Sequence, residues 1–322
     1  MARVRVRPRM SGSDTPLDGA PLDPDGSLDD SLPPAEAFAL LGNETRITIL
    51  QELWLAPDHP VAFSDLRKRV GMKDSAQFNY HLSKLTDHFV RQVEDGYEFQ
   101  YAGEKVVRAI LAGTFTERVT LEFPVTGDCF DCGGSLEAAY ADERLTVRCT
   151  DCESVYGRYA FPPGGLRDRS TTEIEAAFDQ RVRHLHCLAA DGVCPECGGR
   201  VDTAVVPDDE DLLGLDVRVD HTCVQCQHTI SSPVGLSLLD NSNVVAFHAD
   251  HGVELDTRKH WTLPWCVTDA STTYDADPTR VTVSFALAGE AMDVTLDGDL
   301  RVVDTERRCA DAADDAGRVS AD

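Results

Sequence analysis

The residues of this 322-residue chain best suited to chemistry are its eleven cysteines, eight of which stand in four Cys-x-x-Cys pairs. Cys129 and Cys132 are followed after 16 residues by Cys149 and Cys152, whereas Cys194 and Cys197 are followed after 25 by Cys223 and Cys226. Paired thiols at the first spacing are the usual donors of a four-sulfur zinc site. The second gap is wider, but its flanks 200–206 and 215–221 can form a hairpin that joins the knuckles. Both leading pairs run into Gly-Gly, at 133–134 and 198–199, where the chain can turn tightly and aim backbone N–H groups at thiolates. Two Zn2+ ions in two zinc ribbons are therefore expected. Four sulfurs at about 2.3 Å leave no open coordination position, so both sites are expected to be structural rather than catalytic.

Other chemistry finds little support. Four pairs without a thioredoxin-like pattern argue against redox catalysis, and no His-x-Glu precedes them as a zinc deaminase would need. Cys187, Cys266 and Cys309 are left over. His184, His186 and Cys187 close an expected helix over 172–190 and read better as partly packed helix surface than as a third metal site. His221 and His228 flank the last pair without being needed as ligands. No nucleophile, base and orienting group assemble in the last third, and no catalytic residue is expected.

Composition sets the medium. The chain carries 56 acidic and 30 basic residues, a net charge of −26. It holds 38 Asp against 18 Glu and 25 Arg against 5 Lys. That balance suits molar potassium chloride, where the Debye length falls to about 3 Å and like charges no longer expand the fold. A disulfide framework is not expected, because the basic opening Met1–Arg9 lacks the apolar core of a secretory signal. A cytoplasmic protein is expected instead. No apolar run approaches the roughly 18 residues that cross a bilayer, so no membrane partner is foreseen.

The elements that would position these groups divide the chain into segments. Residues 1–33 read as a disordered leader. Helices are expected over 35–41 and 44–55, the second capped by Asn43, and a third, short helix over 63–71 has Ser64 as its cap. Asp74 then caps a helix whose stripe Phe78, Leu82, Leu85 and Phe89 turns inward. The opposite face shows Ala76, Asn79, Tyr80, Ser83 and Lys84. Asp95-Gly96 marks a hairpin tip between 90–93 and 97–101. Helix, short helix, helix and hairpin follow one another as in a winged helix, spanning 34–117. An apolar helix over 103–112 is expected to help form a homodimer. Ribbons at 120–165 and 191–232 flank the connecting helix at 170–190. A small domain at 233–307 combines a helix over 243–251 with an antiparallel meander, and 308–322 is a tail. The fold class expected is thus α+β and multidomain. Segment 34–119 is nearly neutral, with ten basic and twelve acidic residues.

Two stretches carry a resemblance. Leu41-Gly-Asn-Glu-Thr-Arg-Ile-Thr-Ile-Leu50 is similar to the opening motif of the ArsR-type winged-helix regulators, and Asp74-Ser-Ala-Gln-Phe-Asn-Tyr-His-Leu-Ser-Lys-Leu85 resembles the recognition helix of that family's haloarchaeal branch. The likeness covers about a quarter of the chain. It implies a transcription regulator that places Ser75–Lys84 in the major groove of double-stranded DNA. The contacts expected are Ser75, Ala76, Gln77, Asn79, Tyr80, Ser83, Lys84 and, on the hairpin, Arg91. Helix 63–71 contains no Cys, so a heavy-metal trigger there is not expected. A basal transcription factor bridging polymerase and promoter, and a zinc-dependent enzyme, are the alternatives.

Overall fold

A computed structural model of the chain describes residues 32–209, 213–276 and 279–310. The expected leader 1–33 lies outside them except for its last two residues, as does the tail beyond residue 310. The described residues form a mixed α/β structure with eight α-helices and four antiparallel sheets. The chain divides into two compact units, Met1–Val107 and Arg108–Asp322.

In the first unit, α1 (Pro34–Leu41), α2 (Glu44–Trp54), α3 (Phe63–Arg69) and α4 (Ser75–Leu85) precede a hairpin of β1 (Val90–Val93) and β2 (Gly96–Phe99); α5 (Tyr101–Leu111) begins here. Its core gathers Ile49, Leu50 and Leu53 of α2, Leu66 of α3, and Phe78, Leu82 and Leu85 of α4, with Val107 of α5. Two starts depart from expectation. Ala62, not Ser64, caps α3 and offers no side-chain bond. The hairpin loop is Glu94-Asp95, because Gly96 already pairs with Val93. Glycine is needed there because its α-carbon lies against the Val61 carbonyl, which any Cβ would strike; Val61 bridges to Tyr97 beside it.

The second unit holds β3 (Leu121–Asp128), β4 (Ser135–Ala141), β5 (Arg144–Cys149) and β6 (Val155–Ala160) as one sheet in sequence order. Helix α6 (Thr171–Ala190) follows, started by a reciprocal Ser170 and Glu173 capping box. A three-stranded sheet comes next, from β7 (Val201–Pro207), β8 (Val217–Cys223) and β9 (Thr229–Ser232). Then α7 (Ser242–Asp250) and the short α8 (Pro264–Val267) lead into a meander of β10 (Thr272–Ala276), β11 (Thr279–Leu287), β12 (Glu290–Asp297) and β13 (Val302–Cys309). One core runs from Phe123 to Leu296 and includes Cys129, Phe178, Trp261 and Trp265. The first pair of knuckles, α6 and the meander therefore share a core, whereas Cys194, Val201 and Cys223 form a small cluster of their own. Close packing fixes Gly235, whose missing side chain leaves room for the Trp265 carbonyl. No helix among the described residues is long and apolar enough to cross a membrane.

This core holds imidazoles that cannot easily take a proton. Burial lowers His186 to about 3 and also lowers His248 and His260 from the ordinary value of 6.5. Below that value the unfolded chain binds more protons than the folded one. The stability carried by these groups is therefore complete above about 6.5 and is lost as the pH falls toward 3. His248 is walled by Trp265 and Phe285. His248→Phe should move the acid midpoint of near-ultraviolet circular dichroism to lower pH, and an unchanged midpoint would clear His248 of the effect.

Candidate metal centres and exposed helix face

The four Cys-x-x-Cys pairs close into two clusters, Cys129, Cys132, Cys149 and Cys152, and Cys194, Cys197, Cys223 and Cys226. Within each, all four sulfurs lie within 4.8 Å of one another. Contacts are 3.5 Å for Cys129 with Cys152 and for Cys132 with Cys149, and 3.6–3.7 Å for Cys197 with Cys223 and Cys194 with Cys226. A disulfide would need about 2.05 Å. A tetrahedron of thiolates around an ion at about 2.3 Å has edges near 3.8 Å, close to what is seen. The residues present therefore fit a four-thiolate metal ion.

Local sequence produces this shape. In the first cluster the knuckles join β3 to β4 and β5 to β6. Gly133 turns with φ +72° and its N–H donates to the Cys129 carbonyl, while Gly198 does the same with φ +75° toward Cys194. The first cysteine of each pair is buried and the second exposed. The second cluster is closed by the pairing of β7 with β8, where Val201 stands opposite Cys223. The wide sequence gap is spent on that hairpin.

The two clusters differ in what holds their sulfurs. In the first, the Tyr156 hydroxyl lies 3.1 Å from Cys129 Sγ and accepts from the Phe130 N–H at 2.8 Å. Ser154 Oγ lies 3.1 Å from Cys152 Sγ. Burial pushes the Cys129 thiol up, but the Tyr156 hydroxyl and backbone N–H groups outweigh it and bring the thiol down to about 6. In the second cluster, the contacts among the described residues come from backbone N–H groups, Gly199 to Cys197 at 3.3 Å and Cys226 to Cys223 at 3.4 Å. The Cys226 and Gln225 N–H groups outweigh burial and lower Cys223 to about 6 as well. Neither Tyr156 nor Ser154 was singled out from sequence, although both follow Cys152 within four residues. Hydroxyls offer no spacing rule of the kind that thiols do.

The leftover candidates separate. His184 is exposed, but His186 is buried, with Nε2 bound to the Tyr159 hydroxyl at 3.2 Å. His221 is buried against Thr203 Oγ1 at 2.8 Å. Cys266 is fully buried and Cys309 exposed.

On α4, Asp74 Oδ1 accepts from the Ala76 and Gln77 N–H groups at 2.8 and 3.1 Å, fixing the first turn. Phe78, Leu82 and Leu85 are buried, whereas Ser75, Ala76, Gln77, Asn79, Tyr80, Ser83 and Lys84 are all exposed. His81 is also buried. Lys84 Nζ lies 5.9 Å from the Tyr80 ring centroid, and the Ser83 hydroxyl donates to the Tyr80 carbonyl at 3.0 Å. Arg91 stands apart from this face on β1, where its Nε donates to Glu98 Oε1 at 2.8 Å across the hairpin. Its charge is partly spent inside the hairpin.

Two outcomes follow for the metal centres. Tyr156→Phe should speed metal loss to a chelator about tenfold from one site and leave the other unchanged, read as two kinetic phases. Stripping both ions should raise hydrogen exchange throughout 120–305 and not in the ribbons alone, because Cys129 and Cys149 belong to the shared core. Exchange in the first unit should hardly change.

Two family models match the chain. Residues 34–110 match a domain of unknown function (DUF7347), and residues 126–302 match a second domain of unknown function (DUF7351). No curated protein and no solved structure matches it. The second match covers more than half of the chain, which therefore belongs to the DUF7351 family.

Proposed function

We propose that the chain is a sequence-specific DNA-binding transcription regulator, in which α1 to α5 and the β1–β2 hairpin act as a winged helix and α4 enters the major groove. The observation that carries this reading is the outer face of α4. From Ser75 to Leu85 it exposes amide, hydroxyl, phenol and one ammonium group and no carboxylate. Gln77 and Asn79 can bond adenine edges, and Ser75, Tyr80, Ser83 and Lys84 suit phosphate oxygens. The helix is held still enough for such contacts by the Asp74 cap and by three fully or almost fully buried side chains. In this reading both four-thiolate centres hold zinc as structural ions. The chain works in concentrated salt, and two copies form a C₂ dimer on palindromic sites. Exposed Phe38 and Tyr101 on α1 and α5 provide apolar surface for that dimer.

Footprinting in molar potassium chloride is the direct test. Asn79→Ala with Tyr80→Ala should weaken protection of the target promoter at least tenfold, since one base contact contributes about 1–3 kcal/mol. A double variant that protects like wild type would remove α4 from the interface. Arg91→Ala should matter less, because Glu98 already holds its guanidinium.

A further inference from the structure

Within the second unit, a cavity of 560 Å³ opens between the end of β3 and the turn over 257–262. Its two walls are tied together at the base. β3 leaves its register with β4 between Pro124 and Asp128, and in that stretch the Thr126 carbonyl accepts from Trp261 Nε1 at 2.9 Å. Gly127, with φ +109°, lies so close to the turn that a Cβ there would come within 3.0 Å of Thr262 Cγ2. The turn itself is closed by Thr262, whose N–H and Oγ1 donate to the Lys259 carbonyl at 2.9 and 2.8 Å. A bulged strand against a fixed turn is a common setting for a binding site, because it aims side chains out of the sheet.

Three groups of different chemistry line this cavity. Lys259 is the only lysine among residues 108–322, where arginine supplies every other permanent cation. It is half-buried, and its ammonium has no hydrogen-bond or ion-pair partner among the described residues. Such a compact charge can turn three donors onto the oxygens of one phosphate. Asp128 and Phe130, on either side of the buried Cys129, are both exposed. Asp128 is the single carboxylate on the lining and is not paired with Lys259. It repels a second anionic group but accepts from hydroxyls, which ribose presents as a pair. The open ring of Phe130 suits a flat base, which stacks on it without regard to sequence. The volume is several times what a phosphate ion would fill and lies in the range of small-molecule sites.

We propose that this cavity binds a ribonucleoside monophosphate, with its phosphate on Lys259, its ribose hydroxyls on Asp128 and its base on Phe130. Arg258 also lines the cavity and adds positive charge to it. All of these residues lie outside α4, so the site is independent of the DNA-binding reading.

Calorimetry on the metal-loaded full chain in molar potassium chloride tests the site with adenosine monophosphate, its 2′-deoxy form, adenosine and inorganic phosphate. The ribonucleotide should bind once per chain. Adenosine and inorganic phosphate should each bind about tenfold or more weakly, adenosine for want of a charge-assisted hydrogen bond and phosphate for want of stacking. The deoxynucleotide should bind about threefold or more weakly, the loss of one neutral hydrogen bond. Lys259→Ala should bring the ribonucleotide down to the affinity of adenosine and leave adenosine unchanged. Asp128→Ala should erase the difference between the ribose and deoxyribose forms. Phe130→Ala, checked for unchanged metal content, should weaken nucleotide and nucleoside alike. Equal affinities for the ribonucleotide and adenosine, an undiminished ribonucleotide affinity in Lys259→Ala, or a deoxynucleotide that binds as well as the ribonucleotide would each overturn the proposal. So would a single-stranded oligonucleotide that binds through Lys259 where the monophosphate does not, since the cavity would then take a strand.

Discussion

Asp179 is 1% exposed, and a carboxylate so far from water has to be supplied with donors by whatever packs around it. Removing an ion from water costs several kcal/mol even after relaxation. Three donors meet it here. They are the His260 N–H at 2.7 Å, His260 Nδ1 at 2.9 Å and Arg183 Nε at 2.9 Å. Burial raises Asp179, yet the His260 bonds and the Arg183 charge hold it below the ordinary carboxylate value. Its requirement ties α6 to a turn 81 residues further along the chain.

The consequences reach the first metal centre. With His260 fixed, Trp261 packs against Phe178 with tilted rings 6.0 Å apart and donates from Nε1 to the Thr126 carbonyl at 2.9 Å. Thr126 N–H in turn donates to Glu175, one turn before Asp179 on α6. Thr126 lies three residues before Cys129, so the strand that delivers the first thiolate is anchored on both sides by α6 and its partners. The first four-cysteine cluster is small in sequence but rests on contacts spread over much of the second unit.

What could be read from the sequence was local. Cysteine spacing identified all eight sulfurs that come together, since a four-thiolate site is written in two short pairs and two turns. The α4 stripe was equally legible, because a period near 3.6 separates Phe78, Leu82 and Leu85 from Asn79, Tyr80 and Ser83. The Asp179–His260 pair and the His186–Tyr159 bond could not be read. A buried histidine has the same local pattern as one on a helix surface, as the contrast between His184 and His186 shows, and its partners lie on other elements. The hairpin tip failed for a related reason. Gly96 answers to Val61 rather than to its own turn.

The same balance of near and far governs how an acidic chain could approach DNA. Of the −26 charge, segment 34–119 contributes ten basic against twelve acidic residues, and nearly all the excess lies elsewhere in the chain. In molar salt, where the Debye length is about 3 Å, carboxylates beyond immediate contact are screened. Lysine contacts to phosphate lose most of their value there too, because counterion release contributes little. What survives screening is short in range, namely hydrogen bonds to base edges, aromatic contact and shape. The exposed side of α4 has that composition, with two amides, hydroxyls, a phenol and a single Lys84, while Arg91 is held by Glu98. A face built this way gains little by adding cations. If α4 reads DNA as proposed, its selectivity would depend on how firmly Asp74, Phe78, Leu82 and Leu85 hold the helix that presents this face.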